Sequence, residues 1–491
     1  MRSNIIKLFS GNFISKILGF AREVIFAGTL GTGAEIGAYR VAQTGTLVPI
    51  NFLTSDSLNS AFIPLYIKFR NGPDGEHVVS LYTWVMLALF SAFSILLTLI
   101  VLLGSYFWVS ILAPGLDDKV KELASTMLDI MGYGIPAYIV SVLGVFICIA
   151  NDDFVPMALR PSIQNVGLLA GALLFLLFGD PAWLAWGFTI SYGFFFLYIT
   201  FRLLNRRFIE WPKKWCRLDV KLIVNSFWCT IKPLLLLPVL SQGNIAVERA
   251  VASLVGLVAV SALDYAKFTT ETIFFLISMP VAFVGLSSWS GLDNAQVKER
   301  IANTAKAMLF IAVPLSSIVG QNASLIVDVM FSRGQFDAAS ASVTTSILVG
   351  MSFGIWAQAI GYVLIKGLSA TFKNNVVLMV MAVSLVINSI FNLIFYKHFG
   401  AITLGLANSI YAIVLFFLCV RALDLWCEIK GDVLTYLIGS LVLFIISIFL
   451  SCAFNYSKFT LLFAACLYWI VFSFLYRPAS QFFFRVMRLR R

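Results

Sequence analysis

Residues 14–23 read I-S-K-I-L-G-F-A-R-E, so Lys16, Arg22 and Glu23 stand within eight residues at the start of an apolar segment. On a helix, positions 16 and 23 share a face and Arg22 flanks it by about 100°. Charge in hydrocarbon is costly, which makes function the default reading of such residues. The chemistry on offer is anion binding. Arginine grips phosphate oxygens through paired donors, and lysine adds a point charge. Snorkelling to the interface is the competing account for Lys16. Arg22 resists that account, because it lies some fifteen residues in from Lys7, with apolar runs before it and after Glu23.

Three further stretches carry polar groups where lipid would not want them. Asp56 stands amid Thr54, Ser55, Ser57, Asn59 and Ser60. It suits either an ion pair with Arg22 or a bound cation, whereas packing between close helices explains the serines but not the aspartate. S-Q-G-N-I-A-V-E-R-A holds Gln242, Asn244, Glu248 and Arg249. Asn244 and Glu248 are four apart on one face; Gln242 and Arg249 share another. L-D-Y-A-K-F-T-T-E supplies Asp264, Lys267 and Glu271 at helical spacing. A structural salt-bridge cluster competes with a hydrated cavity for these last two stretches. No metal triad, nucleophile elbow or phosphate-binding glycine loop accompanies them, so the pattern is not that of an enzyme. Seven scattered cysteines without a CxxC, and two histidines about 320 residues apart, propose no disulfide or metal site.

The elements that must position these residues follow from composition. Of 491 residues, 60% are hydrophobic and 12% charged, with 45 Phe; the mean hydropathy is +0.92. A soluble domain would carry about twice that charged fraction. Apolar stretches of about 20 residues recur, each long enough to cross roughly 30 Å of hydrocarbon. Barrel strands would alternate instead. The fold class is therefore an all-α polytopic membrane protein. About fourteen spans are expected at 8–30, 40–67, 79–109, 122–150, 157–178, 182–204, 222–250, 259–288, 303–328, 341–366, 374–396, 400–421, 433–454 and 460–480. They parse into a six-helix lobe (1–204), a basic cytoplasmic linker (205–221), a second six-helix lobe (222–421), and two extra helices with a basic tail (422–491). Duplicated bundles with a site at their interface are a common transporter plan. The first helix reads as retained, since no convincing small-residue cleavage site follows Arg2 and Lys7.

Loop charge sets the expected orientation. The linker R-L-L-N-R-R-F-I-E-W-P-K-K-W-C-R-L-D-V-K is strongly basic, and alternate loops carry Lys68 and Arg70, Lys298 and Arg300, Lys366 and Lys373, and Lys430. The tail adds Arg485, Arg488, Arg490 and Arg491, while the intervening loops are mostly thin in basic residues. This asymmetry places both termini in the cytoplasm. The formal charge of +11 then reflects topology and attraction to anionic membrane lipids, not nucleic acid. A cavity lined by Arg and Lys fits an amphipathic substrate with a phosphorylated head, whose tail stays in the bilayer. Uncompensated, that head would meet a large desolvation cost.

The segment S-K-I-L-G-F-A-R-E-V-I-F-A-G-T-L-G-T-G, followed by S-A-F-I-P, resembles the opening of the MviN/MurJ family of bacterial lipid II flippases. The likeness continues in I-L-A-P-G-L-D-D (111–118), R-P-S-I-Q-N (160–165), S-A-L-D-Y-A-K (261–267) and F-S-R-G-Q-F-D (331–337), in family order. The last 150 or so residues match only in hydropathy. The family sits in the superfamily of multidrug, oligosaccharidyl-lipid and polysaccharide exporters. The resemblance implies a fourteen-helix, two-lobed, MATE-like protein of the bacterial inner membrane that works by alternating access. Its substrate would be an undecaprenyl-diphosphate-linked saccharide moved from inner to outer leaflet. The family's functional arginine of the first helix falls on Arg22, and its second basic position on Lys16. The acidic–basic pair of the seventh helix falls on Glu248 and Arg249, and the basic end of the eighth-helix motif near Lys267. The chain departs from the pattern in having Gly37 for an aspartate, and Ile50 and Asn51 for adjacent arginines; Arg40 stands ten residues before that pair.

Those departures leave lipid II, or an O-antigen, capsule or exopolysaccharide unit, as alternative cargoes. A non-transporting scaffold of an envelope-synthesis complex, and a drug or cation antiporter of the same superfamily, are the other readings. Substrate contact is expected at Arg22, Lys16, Arg40, Arg249 and Lys267. Coupling or charge pairing is expected at Asp56, Glu23, Glu248, Asp264 and Glu271. Asn51, Asn59, Gln242 and Asn244 are the expected polar cavity lining. No cofactor is expected. Coupling would come from a cation, Na+ or H+, or from the membrane potential. A monomer with glycan-synthesis proteins as partners completes the expectation.

Overall fold

The structure is a computed structural model that describes residues 2–476 apart from Ser55, 213, 214, 216, 290–293, 372 and 455–457. Every regular element among them is helical. In chain order they are α1 (Arg2–Leu30), α2 (Ala34–Thr54), α3 (Asp56–Arg70), α4 (Gly75–Leu103), α5 (Ser105–Leu112), α6 (Asp118–Gly132) and α7 (Ile135–Ala150). There follow α8 (Val155–Phe178), α9 (Ala182–Asn205), α10 (Arg217–Ile231), α11 (Leu236–Val255), α12 (Leu257–Trp289) and α13 (Asn294–Gln321). The chain continues with α14 (Ala323–Phe331), α15 (Ala338–Ala370), α16 (Asn374–Phe399), α17 (Ile402–Ala422), α18 (Trp426–Phe454) and α19 (Lys458–Leu475).

Among the described residues, eight helices are long and apolar enough to cross a membrane: α4, α8, α9, α13, α15, α16, α17 and α18. Two bent pairs raise this to ten. α6 and α7 meet at 46°, where Gly134 and Pro136 interrupt the hydrogen-bond ladder, and α10 and α11 meet at 53° across a 3-10 turn containing Pro233. The charge-bearing α1, α2 and α12 stand outside that count. Large apolar side chains face outward, among them Leu103 (88% exposed) and Phe107 (71%). In water such a surface would be a liability; in lipid it is the expected exterior. The chain is a multi-pass membrane protein.

The residues fall into two compact units, one of Met1–Ser261 with Arg333–Phe336, the other of Ala262–Ser332 with Asp337–Arg491. This division by contact falls within α12, not at the basic linker 205–221 that marks the expected division by repeat.

In the first unit, Phe62 stacks on Tyr82 at 5.1 Å and Tyr82 meets Phe69 at 5.2 Å, which fixes α3 against α4. Close helix approach comes from small residues. A Cβ on Gly171 would lie 2.7 Å from the Trp183 carbonyl oxygen, so α8 and α9 touch backbone to backbone. The turn between α1 and α2 uses Gly31 at φ +58°, which suits glycine. That turn is clasped by Arg333–Phe336: the Gln335 N–H donates to the Gly28 carbonyl at 2.9 Å, and Gly334 is left-handed at φ +55°. Two stretches that resemble the family, G-T-L-G-T-G and F-S-R-G-Q-F-D, thus meet in one joint.

In the second unit α13, α15 and α17 pack around Ile301, Leu309, Ile360, Leu364 and Phe416. Gly350 and Gly354, four apart on α15, let α17 approach closely, and the Ser409 hydroxyl donates to the Gly350 carbonyl at 2.6 Å.

Candidate functional site

α1 carries Arg22 and Glu23 on adjacent positions, and the structure builds a charged cluster on them. The Arg22 guanidinium donates from Nε (3.1 Å) and Nη2 (2.5 Å) to Glu23 Oε1. Its Nη1 donates to Asn165 Oδ1 on α8 at 2.8 Å. The other carboxylate oxygen of Glu23 accepts from Nη2 of Arg40 on α2. Asn165 is oriented in turn, since its Nδ2 donates to the Ser15 carbonyl (3.0 Å) and hydroxyl (3.2 Å). One carboxylate therefore bridges two guanidiniums, and the triad keeps a formal charge of about +1.

Burial separates the roles within this triad. The side chains of Glu23 and Arg40 are 2% and 4% exposed, whereas that of Arg22 is 16% exposed. Of the five N–H donors of Arg22, three have acceptors and two have none among the described residues. Arg40 also lies 5.4 Å from the Phe26 ring centroid and 5.9 Å from that of Tyr39. Its position is that of an internal brace, and Arg22 is the member of the pair that reaches outward. The account in which Arg22 pairs with Glu23 is realised, but without using up its donors. The side chain of Asp56, the other expected partner, lies outside the described residues.

Arg249 on α11 is buried, and it donates from Nε to the Thr44 hydroxyl (3.0 Å) and from Nη1 to the Val260 carbonyl (2.6 Å). Gly256, at φ +148°, makes the one-residue break that returns α12 past Arg249. The Thr44 hydroxyl bonds the Arg40 carbonyl at 2.8 Å, so α11 is tied to α2 one turn beyond Arg40. Asn244 and Glu248 are buried on the same helix, and Gln242 has a buried Oε1 with no hydrogen-bond partner among the described residues. Lys16 is half-buried on α1.

Asn51 is half-buried and accepts from the Tyr138 hydroxyl at 3.4 Å, while Ile50 beside it is fully buried. Asn59 is half-buried on α3. Gly37 stands where a Cβ would come within 2.7 Å of Leu257 Cδ1. Asp264 and Lys267, half-buried, and Glu271, exposed, belong to the second unit and lie one turn apart along α12.

Sequence reasoning singled out the cations and the acids but missed the neutral groups that hold them. Asn165 and Thr44 each sit in an apolar helix, where an amide or a hydroxyl is a weaker signal than a charge. Asn165 ends the stretch R-P-S-I-Q-N, which resembles the family and carries no charge at that position.

Comparison with known proteins gives this chain a lineage. The model of the family described as lipid II flippase MurJ matches residues 26–477. A protein of Thermotoga maritima described as a probable lipid II flippase MurJ is 26% identical over 351 residues, covering 70% of this chain and 69% of its own. A solved lipid II flippase MurJ in an inward closed conformation superposes with a TM-score of 0.82 at 22% identity, covering 98% of this chain and 99% of that one. An inward-facing MATE-family multidrug transporter of the MOP superfamily matches more distantly, with a TM-score of 0.66 at 15% identity over 85% of this chain and 95% of its own. The two solved structures speak to the fold, and the match over most of the chain speaks to descent: this chain belongs to the MurJ family of membrane transporters.

Proposed function

We propose that the chain flips an undecaprenyl-diphosphate-linked saccharide from the inner to the outer leaflet of the bacterial cytoplasmic membrane by alternating access. The observation that carries this reading is Arg22, a guanidinium held by Glu23 and Asn165 with two donors to spare, inside a cluster of net positive charge. A diphosphate is the group such a fork fits, and a lipid tail can remain in the bilayer while the head crosses. The Thermotoga maritima relative is described as a probable lipid II flippase, which supports that class of cargo. In this reading fourteen helices form two six-helix lobes and two extra C-terminal helices, both termini are cytoplasmic, and the protein acts as a monomer. Coupling draws on the membrane potential or on a cation, Na+ or H+. One charge crossing the full potential is worth about 2.3 kcal/mol per 100 mV.

A second cargo within the class, a surface-polysaccharide repeat unit, is favoured by Gly37, Ile50 and Asn51, which replace three charged side chains expected from the family pattern. Ile50 is fully buried, so its position is part of the core and not of a charged lining.

The test is complementation. A strain depleted of its own lipid II flippase should grow on this chain and fail on R22A, with lipid-linked precursor accumulating on the cytoplasmic side. R22K, which keeps the charge and loses the fork, should fall between. If the wild type reaches the membrane and does not complement, while restoring surface glycan in a repeat-unit flippase mutant, the second cargo is the right one. Failure of both rescues by a membrane-inserted chain sinks the flippase reading.

A further inference from the structure

Arg160 stands half-buried in the second turn of α8. Its guanidinium carbon lies 4.5 Å from the ring centroid of Tyr138. Among the described residues it has no hydrogen-bond acceptor and no carboxylate within ion-pairing distance.

The ring beneath it is held by two neighbours. Tyr138 is 6% exposed, and its hydroxyl donates to Asn51 Oδ1 at 3.4 Å. Its ring meets that of Tyr192 at 4.4 Å, and Tyr192 in turn meets Phe188 at 4.7 Å. A guanidinium over an aromatic face keeps its N–H donors in its own plane, so the stacking orients the group without consuming its donors. A half-buried cation on a membrane helix without an acidic partner is costly unless an anion meets it. Snorkelling would account for a flexible lysine better than for an arginine seated on a locked tyrosine.

Arg160 shares its helix with the group that holds Arg22: Asn165 lies five residues further along α8, about 7.5 Å along the axis and about 140° round it. We propose that Arg160, positioned by Tyr138 and Asn51, is a second anion-binding residue of this transporter, one that takes phosphate oxygens of the lipid-linked diphosphate. This rests on the function proposed above.

The ligand chemistry, a phosphate ester on a lipid, has two sources: the transported polyprenyl diphosphate and ordinary anionic phospholipid. The test uses the purified full chain in neutral phosphatidylcholine nanodiscs, titrated separately with undecaprenyl diphosphate, undecaprenol and phosphatidylglycerol. R160M keeps most of the apolar stem and removes the donors. It should weaken undecaprenyl diphosphate binding by about tenfold, the scale of one charge-assisted contact. Undecaprenol binding and Tm should not change. R160K should recover part of the loss, and Y138L, which removes the platform, should weaken diphosphate binding with Arg160 intact.

Equal diphosphate affinity in R160M and wild type overturns the inference. So does a loss confined to phosphatidylglycerol, which makes Arg160 a headgroup anchor, and so does a loss shared by undecaprenol in step with a fall in Tm, which makes it a packing residue. A wild-type chain that binds no undecaprenyl diphosphate removes this inference together with the proposed cargo. Wild-type binding that R160M leaves intact removes this inference alone.

Discussion

Arg22 and Asn165, 143 residues apart in the chain, are joined by a 2.8 Å hydrogen bond from the guanidinium Nη1 to the amide Oδ1. The opposite side of that amide donates to the Ser15 carbonyl and hydroxyl. An amide is therefore required at 165, since a carboxylate would set an oxygen against the Ser15 carbonyl. Asn165→Asp should lower transport strongly while the protein still reaches the membrane, because the new charge also neutralises Arg22. Asn165→Ala should cost about 1–3 kcal/mol for the partners left unmatched. Thermal unfolding in detergent and precursor accumulation in cells separate the two effects. Unchanged transport in both variants would remove the amide from the site.

Glu23 bridges Arg22 and Arg40 in the interior of the first unit. Removing one member of a buried ion pair costs about 3–5 kcal/mol, whereas replacing both with apolar groups is often near neutral. Glu23→Gln should therefore lower Tm markedly, and adding Arg40→Leu should restore part of the loss. A double-mutant cycle read by denaturation gives the coupling directly. Additive losses would mean that the bridge contributes nothing.

The joint between the α1–α2 turn and Arg333–Phe336 has little tolerance for side chains. A Cβ at Gly31 would lie 2.3 Å from the Gln335 carbonyl oxygen, and one at Gly334 would lie 2.1 Å from that of Gly28. Both glycines also have positive φ. Gly31→Ala and Gly334→Ala should each destabilise by at least about 1–3 kcal/mol. Together they should fall short of additivity, since both open the same joint. Normal thermal stability of either variant would show that the joint can give.

Asp153, in the connection between α7 and α8, accepts from Arg202 Nε (2.6 Å) and Nη2 (2.9 Å). Burial pushes its carboxyl up, but the Arg202 hydrogen bond and charge, with the Val155 N–H, outweigh this and hold it below the usual carboxylate range. A carboxyl lowered on folding adds stability above its unfolded value, near 4, and loses it as the pH falls through the folded value. Wild-type Tm should drop more steeply than that of Asp153→Asn below about pH 4. At neutral pH the variant should be less stable by about 1.5–3 kcal/mol. Parallel Tm curves across the acid range would contradict the linkage.

The backbone carbonyl of Glu210, in the basic linker, accepts from the Ser80 hydroxyl and from Trp84 Nε1 (3.0 Å), and Trp84 meets Trp211 at 4.6 Å. The linker is thus held at the same end of α4 as the last turn of α3, which bears Lys68 and Arg70. Glu210→Cys, in a chain freed of its seven native cysteines, should resist an impermeant thiol reagent applied outside spheroplasts and label after permeabilisation. Labelling from outside would reverse the expected orientation.

Composition and the spacing of apolar runs were enough to determine a helical membrane protein. The hydrocarbon layer fixes the length of each element, and only a closed helical ladder satisfies its backbone. Charge in a lipid-soaked sequence stands out for the same reason, so Arg22, Glu23 and Glu248 were legible before any coordinate. Pairing was not. Seven-residue spacing put Lys16 and Glu23 on one face, yet the carboxylate takes Arg22 beside it and Arg40 from the next helix. Helical periodicity reports which residues of one element align and carries no information on which element comes to meet them. Asn165 reaches Arg22, and Thr44 reaches Arg249, only because separate helices pack at those points. Likewise Arg160 looks like any interfacial arginine in the string of letters. Its seat on Tyr138, locked through Asn51 and Tyr192, exists only once α2, α7, α8 and α9 are folded together.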